Sequence, residues 1–561
     1  MTSVPERVTP REGVFVLAVA FALTAYFTWP LAWQPTGWGR VELGDGQFSI
    51  WNVAWVAHAL TTPGVEVFDA NIFHPHKRTL AYSEPNLGAG TIAVPAYLLT
   101  RGNPYAAHNS AVLVSLTFAV VGMYLLARRL TGSREAALLA GIAFAFCPFF
   151  FARTAHIQLM MTAPLPFTLL ALHRFADAAT VRRAIVLGIS IGVQALFCAY
   201  YGVLAGLIVG LGILVFAVGC GYWRQPRWWA LSVLAAVVSG LTVLPFFLPF
   251  MDLQRETGFS RTIDESIRWS ADWRAYLASS AWAHRWMLEH LRHWKEVLFP
   301  GFTALLFGLG GMGLMIRHLA RRGGTPLPMT RINAVFYLLV FVLTLWSSFG
   351  PNAGLYTLFF HTIPVFSLLR APARFGIAVT LALCVFAAAA LSVILQRVPP
   401  RLRTAVTAVL AILLVAELTT PLPYLPARDV PRAYKVLAAA ERGAVAEFPF
   451  YYEPHDRFRH TLYMLGSTTH WQPLVNGYSD FMPPDFLEGA AVASRFPDPE
   501  SFAWLRARDT RYVVFHLGLY GGTDYESLMR RLETYSPYLK PRWAHGSVLL
   551  YEIVGWPPGA P

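Results

Sequence analysis

Long apolar runs, each about 20 residues and so long enough to cross a bilayer as a helix, recur along this chain between short polar connections. Eleven such spans are predicted, at roughly 13–32, 107–127, 136–152, 157–173, 184–200, 202–220, 229–250, 299–316, 332–348, 374–395 and 404–423. After Pro421 the pattern changes. "PLPYLPARDVPR" trades apolar length for proline and charge and reads as a linker. Beyond it, "RAYKVLAAAER" and "DYESLMRRLETY" have helical periodicity, while "GAVAEFPF", "RYVVFHL" and "GSVLLYEIV" read as short buried strands. The predicted fold is an α-helical polytopic membrane protein of about eleven transmembrane helices followed by a soluble α/β domain. The expected boundaries are 1–424 and 425–561.

Arginine placement orients the spans. With a cytoplasmic N-terminus, the inner segments 1–12, 128–135, 174–183, 221–228, 317–331 and 396–403 hold 17 arginines against four acids, Glu6, Glu12, Glu135 and Asp177. The short outer turns hold only Arg153. Positive charge gathers on cytoplasmic loops, so this arrangement puts 33–106, 251–298, 349–373 and the C-terminal domain outside. The net charge of +13 then reflects topology, and no nucleic-acid partner is expected.

Composition agrees. Of 561 residues, 55% are hydrophobic and 14% charged, against about 25% charged in soluble domains. Mean hydropathy is +0.45. Cys147, Cys198, Cys220 and Cys384 lie in or beside apolar spans without metal-ligand spacing. The first apolar run lacks a small-residue cleavage site and reads as a retained helix. Heavy use of Arg, Ala and Trp suits a GC-rich bacterium, and the expected location is the bacterial cytoplasmic (inner) membrane.

The first outer loop, 33–106, stands out. "FSIWNVAWVAHAL" and "GAGTIAVPAYLL" are apolar but short or interrupted, and are predicted to be interfacial helices. Asp45, in "GDGQF", sits at the head of the first as either a helix cap or a working carboxylate. The linking stretch carries Glu84, His74 and His76; the two histidines flank Pro75 and read as a chance pair. Other outer candidates are Arg153 and His156 in "FARTAHIQLM", and Arg370 and Arg374 in "FSLLRAPARFG", where Pro372 interrupts helical stacking of the two arginines. "FGPNAGLYTLFFHTIP" is a candidate re-entrant segment. In the C-terminal domain, "HWQPLVNGYSD", with His470, Asn476 and Asp480, reads as an acceptor-recognising or a domain-packing loop.

Three classes fit an outward carboxylate and outward arginines on a bundle. A transporter needs charges near the midplane and matched broken helices, which the spans lack. A non-catalytic scaffold has no use for Asp45. An enzyme acting on a lipid-linked substrate uses all of them. Asp45 serves as base; Arg370, Arg374 and Arg153 hold a departing phosphate; His156 faces the site; and Trp51 and Trp55 form a sugar- or lipid-facing wall, or alternatively an interfacial anchor.

Most of the chain resembles the GT-C type of polytopic membrane glycosyltransferases, through "GDGQFSIWNVAWVAHAL", "NIFHP…LAYSEPNLG", "FAFCPFFFARTAHIQL", "VLFPG", "IPVFSLLRAPARFG" and "LVNGYSDFMPP". The resemblance implies a polyprenyl-phosphate sugar as donor and a glycan, lipid or protein as acceptor. It gives Asp45 the catalytic role and Glu84 an assisting one. A divalent metal ion is an open cofactor, because the paired Asp-x-Asp of metal-dependent members is absent from the first loop.

Overall fold

The structure is a computed structural model and describes residues 8–258, 260–320 and 329–558. Glu6, Arg7, Arg321 and Arg322 of the predicted cytoplasmic segments lie outside the described residues. By contact the chain divides into two compact units, Met1–Trp33 with Val112–Pro423, and Gln34–Ala111 with Tyr424–Pro561. The first outer loop, grouped with the membrane spans in the sequence reading, therefore clusters with the C-terminal domain.

The first unit is helical. Among the described residues, eight helices are long and apolar enough to span a membrane: α1 (Pro10–Phe27), Pro104–Thr131, Arg134–Phe151, Ala199–Gly219, Pro226–Thr257, Phe302–Ala320, Arg331–Ser348 and Pro372–Arg397. The other three predicted spans are helices of lesser length or apolarity. The one at 157–173 is split into Ile157–Met160 and Pro164–Asp177, because Pro164 and Pro166 are tolerated only near a helix start. Val181–Phe197 has 17 residues, and Pro400–Leu418 carries Arg401, Arg403 and Glu417. Phe15, Phe21, Val233, Leu241 and Leu306 are exposed, an outward apolar surface that only a lipid environment satisfies. The chain is a multi-pass membrane protein. The candidate re-entrant segment forms a short helix, Leu355–Thr362.

Hydroxyl caps mark the starts of four helices entered from arginine-rich segments. Thr9, Ser133, Thr180 and Thr330 accept hydrogen bonds from the N–H of Glu12, Ala136, Arg183 and Asn333 at 3.2–3.3 Å, each satisfying a donor the helix leaves open. Gly376–Arg397 is buried along nearly its whole length. Gly308 and Gly311 let the helix Phe302–Ala320 approach it closely: a Cβ on Gly311 would lie 2.0 Å from the Phe386 carbonyl oxygen. Such contacts replace the hydrophobic effect as the source of helix association in lipid.

The second unit is built on a four-stranded sheet and two helices of the first loop. Strand β1 (Trp38–Gly39) pairs antiparallel with β2 (Leu425–Pro426). The sheet has order β3-β4-β6-β5, from β3 (Ala444–Phe448), β4 (Thr510–His516), β5 (Leu539–His545) and β6 (Val548–Ile553); β3–β4 is parallel and the rest antiparallel. The predicted strands are β3, β4 and β6; β5 is additional. Beside β3, the Val445 N–H donates to Pro473 and the Val475 N–H to Val445. The stretch 473–475 thus runs along the edge of the sheet.

Helix α2 (Asp45–Thr61) is the core of this unit. Trp51, Val53, Ala54, Val56 and Ala57 are buried, and α2 packs on α3 (Leu87–Leu99) and on Thr461–Ser467. Its expected interfacial placement is corrected accordingly: an apolar helix shorter than a span is also what a buried core helix looks like. Helix α3 keeps an exposed apolar edge at Leu98 and Leu99. Buried Asn71 links loop to domain. It accepts from the Trp51 indole at 3.1 Å and donates to Ser467 Oγ at 3.0 Å and to the Gln472 carbonyl at 3.1 Å. The Leu474 N–H donates to the Asn71 carbonyl at 2.8 Å, and the His74 N–H to that of Leu474. "HWQPLVNGYSD" is accordingly a packing segment in its centre: Asn476 is fully buried and bonds both backbone groups of Glu447.

Two outcomes follow. Asn71→Ala removes three side-chain hydrogen bonds and orphans the Trp51 N–H. It should destabilise this unit by about 2–4 kcal/mol, read as a lower Tm in detergent and faster proteolysis within 34–111. Burial also lowers the pKa of His58 and His460 to about 4 and of His470 to about 3. The unfolded chain then binds more protons between about pH 6.5 and 4, so stability falls as pH drops through that window and levels off below it. In His58→Phe the acid-side slope of Tm against pH should be shallower; an unchanged slope would mean His58 does not titrate on unfolding.

Candidate functional site

Asp45 is the first residue of α2, and the cap position is Gly44. The carboxylate is therefore not the cap, though a negative charge in a first turn does favour the helix. It is exposed on a rigid support. Gly44 has φ +89°, which suits glycine, and donates to Thr461 Oγ1 at 2.9 Å. A Cβ on Gly46 would lie 2.5 Å from the Arg40 carbonyl oxygen and 2.8 Å from the Glu42 carboxyl carbon. Gln47 donates to the Val41 carbonyl at 3.0 Å and accepts from Thr461 at 3.0 Å. Turn, glycine contact and glutamine anchor fix the direction in which Asp45 is presented. Glu42, which sequence reasoning passed over, is tied to Arg40 (Nε–Oε1 2.7 Å).

Glu84 is half-buried and sits two residues before Asn86, the cap residue of α3. Its carbonyl accepts from buried Asn52 of α2 at 3.2 Å. Both candidate carboxylates are thus attached to one helix. Trp51 and Trp55 are not a wall for sugar or lipid, nor an interfacial anchor: both are buried, with indole N–H groups bonded to Asn71 and, at 2.8 Å, to the Val67 carbonyl. They are core residues, because α2 is enclosed on all sides. His76 lies 3.0 Å from the Asp485 carboxylate. Among the described residues no group of three or more His, Cys, Asp or Glu has metal-binding geometry.

In the first unit, half-buried Arg153 forms an ion pair with Glu296, whose side chain is 6% exposed. Glu296 was missed in the sequence because it is one of seven acids in the segment 251–298 and nothing in their spacing sets it apart. Burial and neighbouring Arg374 push the Arg153 guanidinium down to about 10. Arg374 sits over the Tyr200 ring at 5.3 Å and within electrostatic reach of Arg153, Tyr201 and Tyr356. It makes no ion pair among the described residues. Tyr200 is 2% exposed and its hydroxyl has no hydrogen-bond partner among the described residues. Arg153 is thus matched by Glu296 while Arg374, within its electrostatic reach, is not matched by a carboxylate among the described residues, which leaves excess positive charge suited to an anion. Arg370 is half-buried in the extended stretch between the turns Pro364–Leu368 and Pro372–Phe375, so it shares no helix with Arg374. His156 is half-buried at the start of Ile157–Met160.

Other carboxylates of this unit are structural. Glu417 takes the backbone N–H groups of Phe302 and Thr303 at the start of one helix and lies 3.2 Å from His284. Glu12 binds Tyr124, Arg128 and Arg134.

No family model and no curated protein matches the chain. Among solved structures it is similar to the archaeal oligosaccharyltransferase AglB from Archaeoglobus fulgidus, in complex with an inhibitory peptide and a dolichol-phosphate. Identity there is 13% and TM-score 0.48, over 94% of this chain and 72% of that one. It is also similar to ArnT from Cupriavidus metallidurans bound to undecaprenyl phosphate, at 14% identity and TM-score 0.39, over 97% and 99%.

Glu296→Gln leaves Arg153 buried without its counter-charge and should destabilise the first unit by about 3–5 kcal/mol. Arg374→Met, which orphans no carboxylate, should leave Tm nearly unchanged. Thermal unfolding of both variants in detergent checks this; equal losses would mean that Arg374 is also a structural cation.

Proposed function

We propose that the chain is a membrane glycosyltransferase that moves a sugar from a polyprenyl-phosphate donor to an acceptor at the outer face of the cytoplasmic membrane. The observation that carries this reading is Arg374, held over the Tyr200 ring without a counter-charge among the described residues and within electrostatic reach of Arg153, in a unit made of apolar spans. A lipid-linked phosphate needs both an apolar surrounding and excess positive charge. Arg374 is the principal phosphate ligand, since Glu296 already engages Arg153; Arg370 and His156 assist.

Asp45 takes the proton from the acceptor as the acceptor atom bonds to the anomeric carbon. The bond from that carbon to the phosphate oxygen breaks, and the electron pair leaves with the phosphate. The arginines offset the charge that develops there. Glu84, tied to α2 through Asn52, supports the same acceptor side. The acceptor is a glycan, lipid or protein. A carrier is less well supported, because Glu12 and Glu417 are engaged by ion pairs and a helix start.

Transfer of labelled sugar from a panel of polyprenyl-phosphate donors, in membranes containing wild type or variants, tests the proposal. Asp45→Asn should lower the rate by about 10²–10⁴-fold, the usual worth of a general base, with insertion unchanged. Arg374→Gln should raise the KM for donor more than it lowers the rate with a saturating donor. Equal transfer by wild type and Asp45→Asn would remove the base assignment, and no transfer from any donor would remove the enzyme reading.

A further inference from the structure

The second unit carries an open cleft of about 790 Å³, lined by Arg432, Lys435, Val436, Tyr512, Arg542 and Trp543 among others. One wall is the helix Arg432–Ala439. Arg432 and Lys435, three residues apart, share its face and are exposed. Neither makes an ion pair among the described residues. Both lie toward the start of the helix, where the dipole disfavours a cation and no acid is present to compensate. The opposite wall is β5, whose Arg542 lies 3.1 Å from Glu552. The nearby carboxylates are spoken for: Arg511 holds Glu441 at 2.6 Å and Glu552 at 2.9 Å. The cleft therefore keeps a surplus of positive charge from Arg432 and Lys435.

Its floor is aromatic and aliphatic. Tyr512 is buried, and its hydroxyl donates to the Glu441 carbonyl at 3.1 Å. Half-buried Trp543 gives its indole N–H to the His545 carbonyl at 3.1 Å, so what it offers a ligand is ring surface. The helix wall is held in place from beneath: the Tyr434 hydroxyl donates to fully buried Glu447 of β3, which His516 also contacts at 2.6 Å.

We infer that this cleft binds a saccharide bearing carboxylate or phosphate groups. Sugar rings present apolar faces that pack on aromatic surface, and the anionic substituents meet Arg432, Lys435 and Arg542 through charge-assisted hydrogen bonds. The volume falls in the range of small-ligand sites, about 300–1,000 Å³, enough for two or three sugar residues. A concave, floored site fits such a ligand better than a flat lipid surface. The choice of saccharide rests on the glycosyltransferase reading, with this cleft as the place where an acidic glycan acceptor is held; the anionic requirement rests on the charges alone.

The test is equilibrium binding to the full chain in nanodiscs of zwitterionic lipid. Fluorescently labelled trigalacturonate and a labelled sugar 6-phosphate distinguish carboxylate from phosphate; labelled maltotriose is the neutral control, and anionic phosphatidylglycerol vesicles are a separate arm. At least one acidic probe should bind, maltotriose more weakly. An Arg432→Ala, Lys435→Ala double variant should weaken the acidic probe at least about tenfold, the scale of one lost charge-assisted hydrogen bond. Trp543→Ala should weaken acidic and neutral probes alike. Equal binding of acidic and neutral sugars, no loss in the double variant, binding of vesicles alone, or no binding of any probe would each overturn the inference. The two readings fail separately. Transfer to a simple acceptor that persists while no acidic sugar binds removes only the cleft assignment. Binding without transfer from any donor removes only the enzyme assignment.

Discussion

Burial of α2 is the constraint on which the second unit depends. A helix so enclosed has its polar donors met by the protein: the indole N–H groups of Trp51 and Trp55 by Asn71 and Val67, and the Asn52 amide N–H by Glu84. Asn71 carries the same bonding onward to Ser467 and Gln472. Removing any one of these partners leaves another buried donor or acceptor orphaned, which costs more than the bond itself is worth. Loop and C-terminal domain are therefore one cooperative body. The exposed carboxylate at the head of α2 inherits the rigidity of α3 and Thr461–Ser467, which pack on that helix.

The first unit solves a different problem. In lipid, apolar contact alone does not bring helices together, so glycine contacts at Gly308 and Gly311 do. Charges there are costly, and most are matched locally: Glu12 by two arginines, Glu417 by a helix start and His284, and Arg153 by Glu296. Arg374 departs from this economy. Its company is aromatic, and a guanidinium on a tyrosine ring is held without being neutralised. That residual charge sets Arg374 apart from the paired Arg153.

Much of this was legible in the sequence. Span positions follow from apolar length, and β3, β4 and β6 from compact apolar runs. Asp45 was singled out from its place beside Gly46 at the head of an aromatic helix and Arg374 from its charge beside an apolar span, and the role of each stays a proposal. Strand β5, "LKPRWAH", was not, because an edge strand rich in Lys, Pro, Arg and His shows no alternation to read. Trp51 and Trp55 were misread because a short apolar helix with tryptophans has the same pattern whether it lies at an interface or in a core; only its neighbours decide. Those neighbours are remote: Asn71 and Ser467 are 396 positions apart, and no local period reports that contact. Glu296 was missed for the same reason, since its significance lies wholly in Arg153.

That distance also has a temporal meaning. Ribosomes add about 5–20 residues per second, so roughly 20–80 s separate the emergence of α2 from that of the segment that covers it. Through that interval a helix carrying two tryptophans has α3 to pack on but lacks the cover that Thr461–Ser467 later supplies. The nascent chain needs either a lipid surface or a chaperone to shelter α2 until the last quarter of the protein has been made, and truncated products should be recognised by quality control through this one helix.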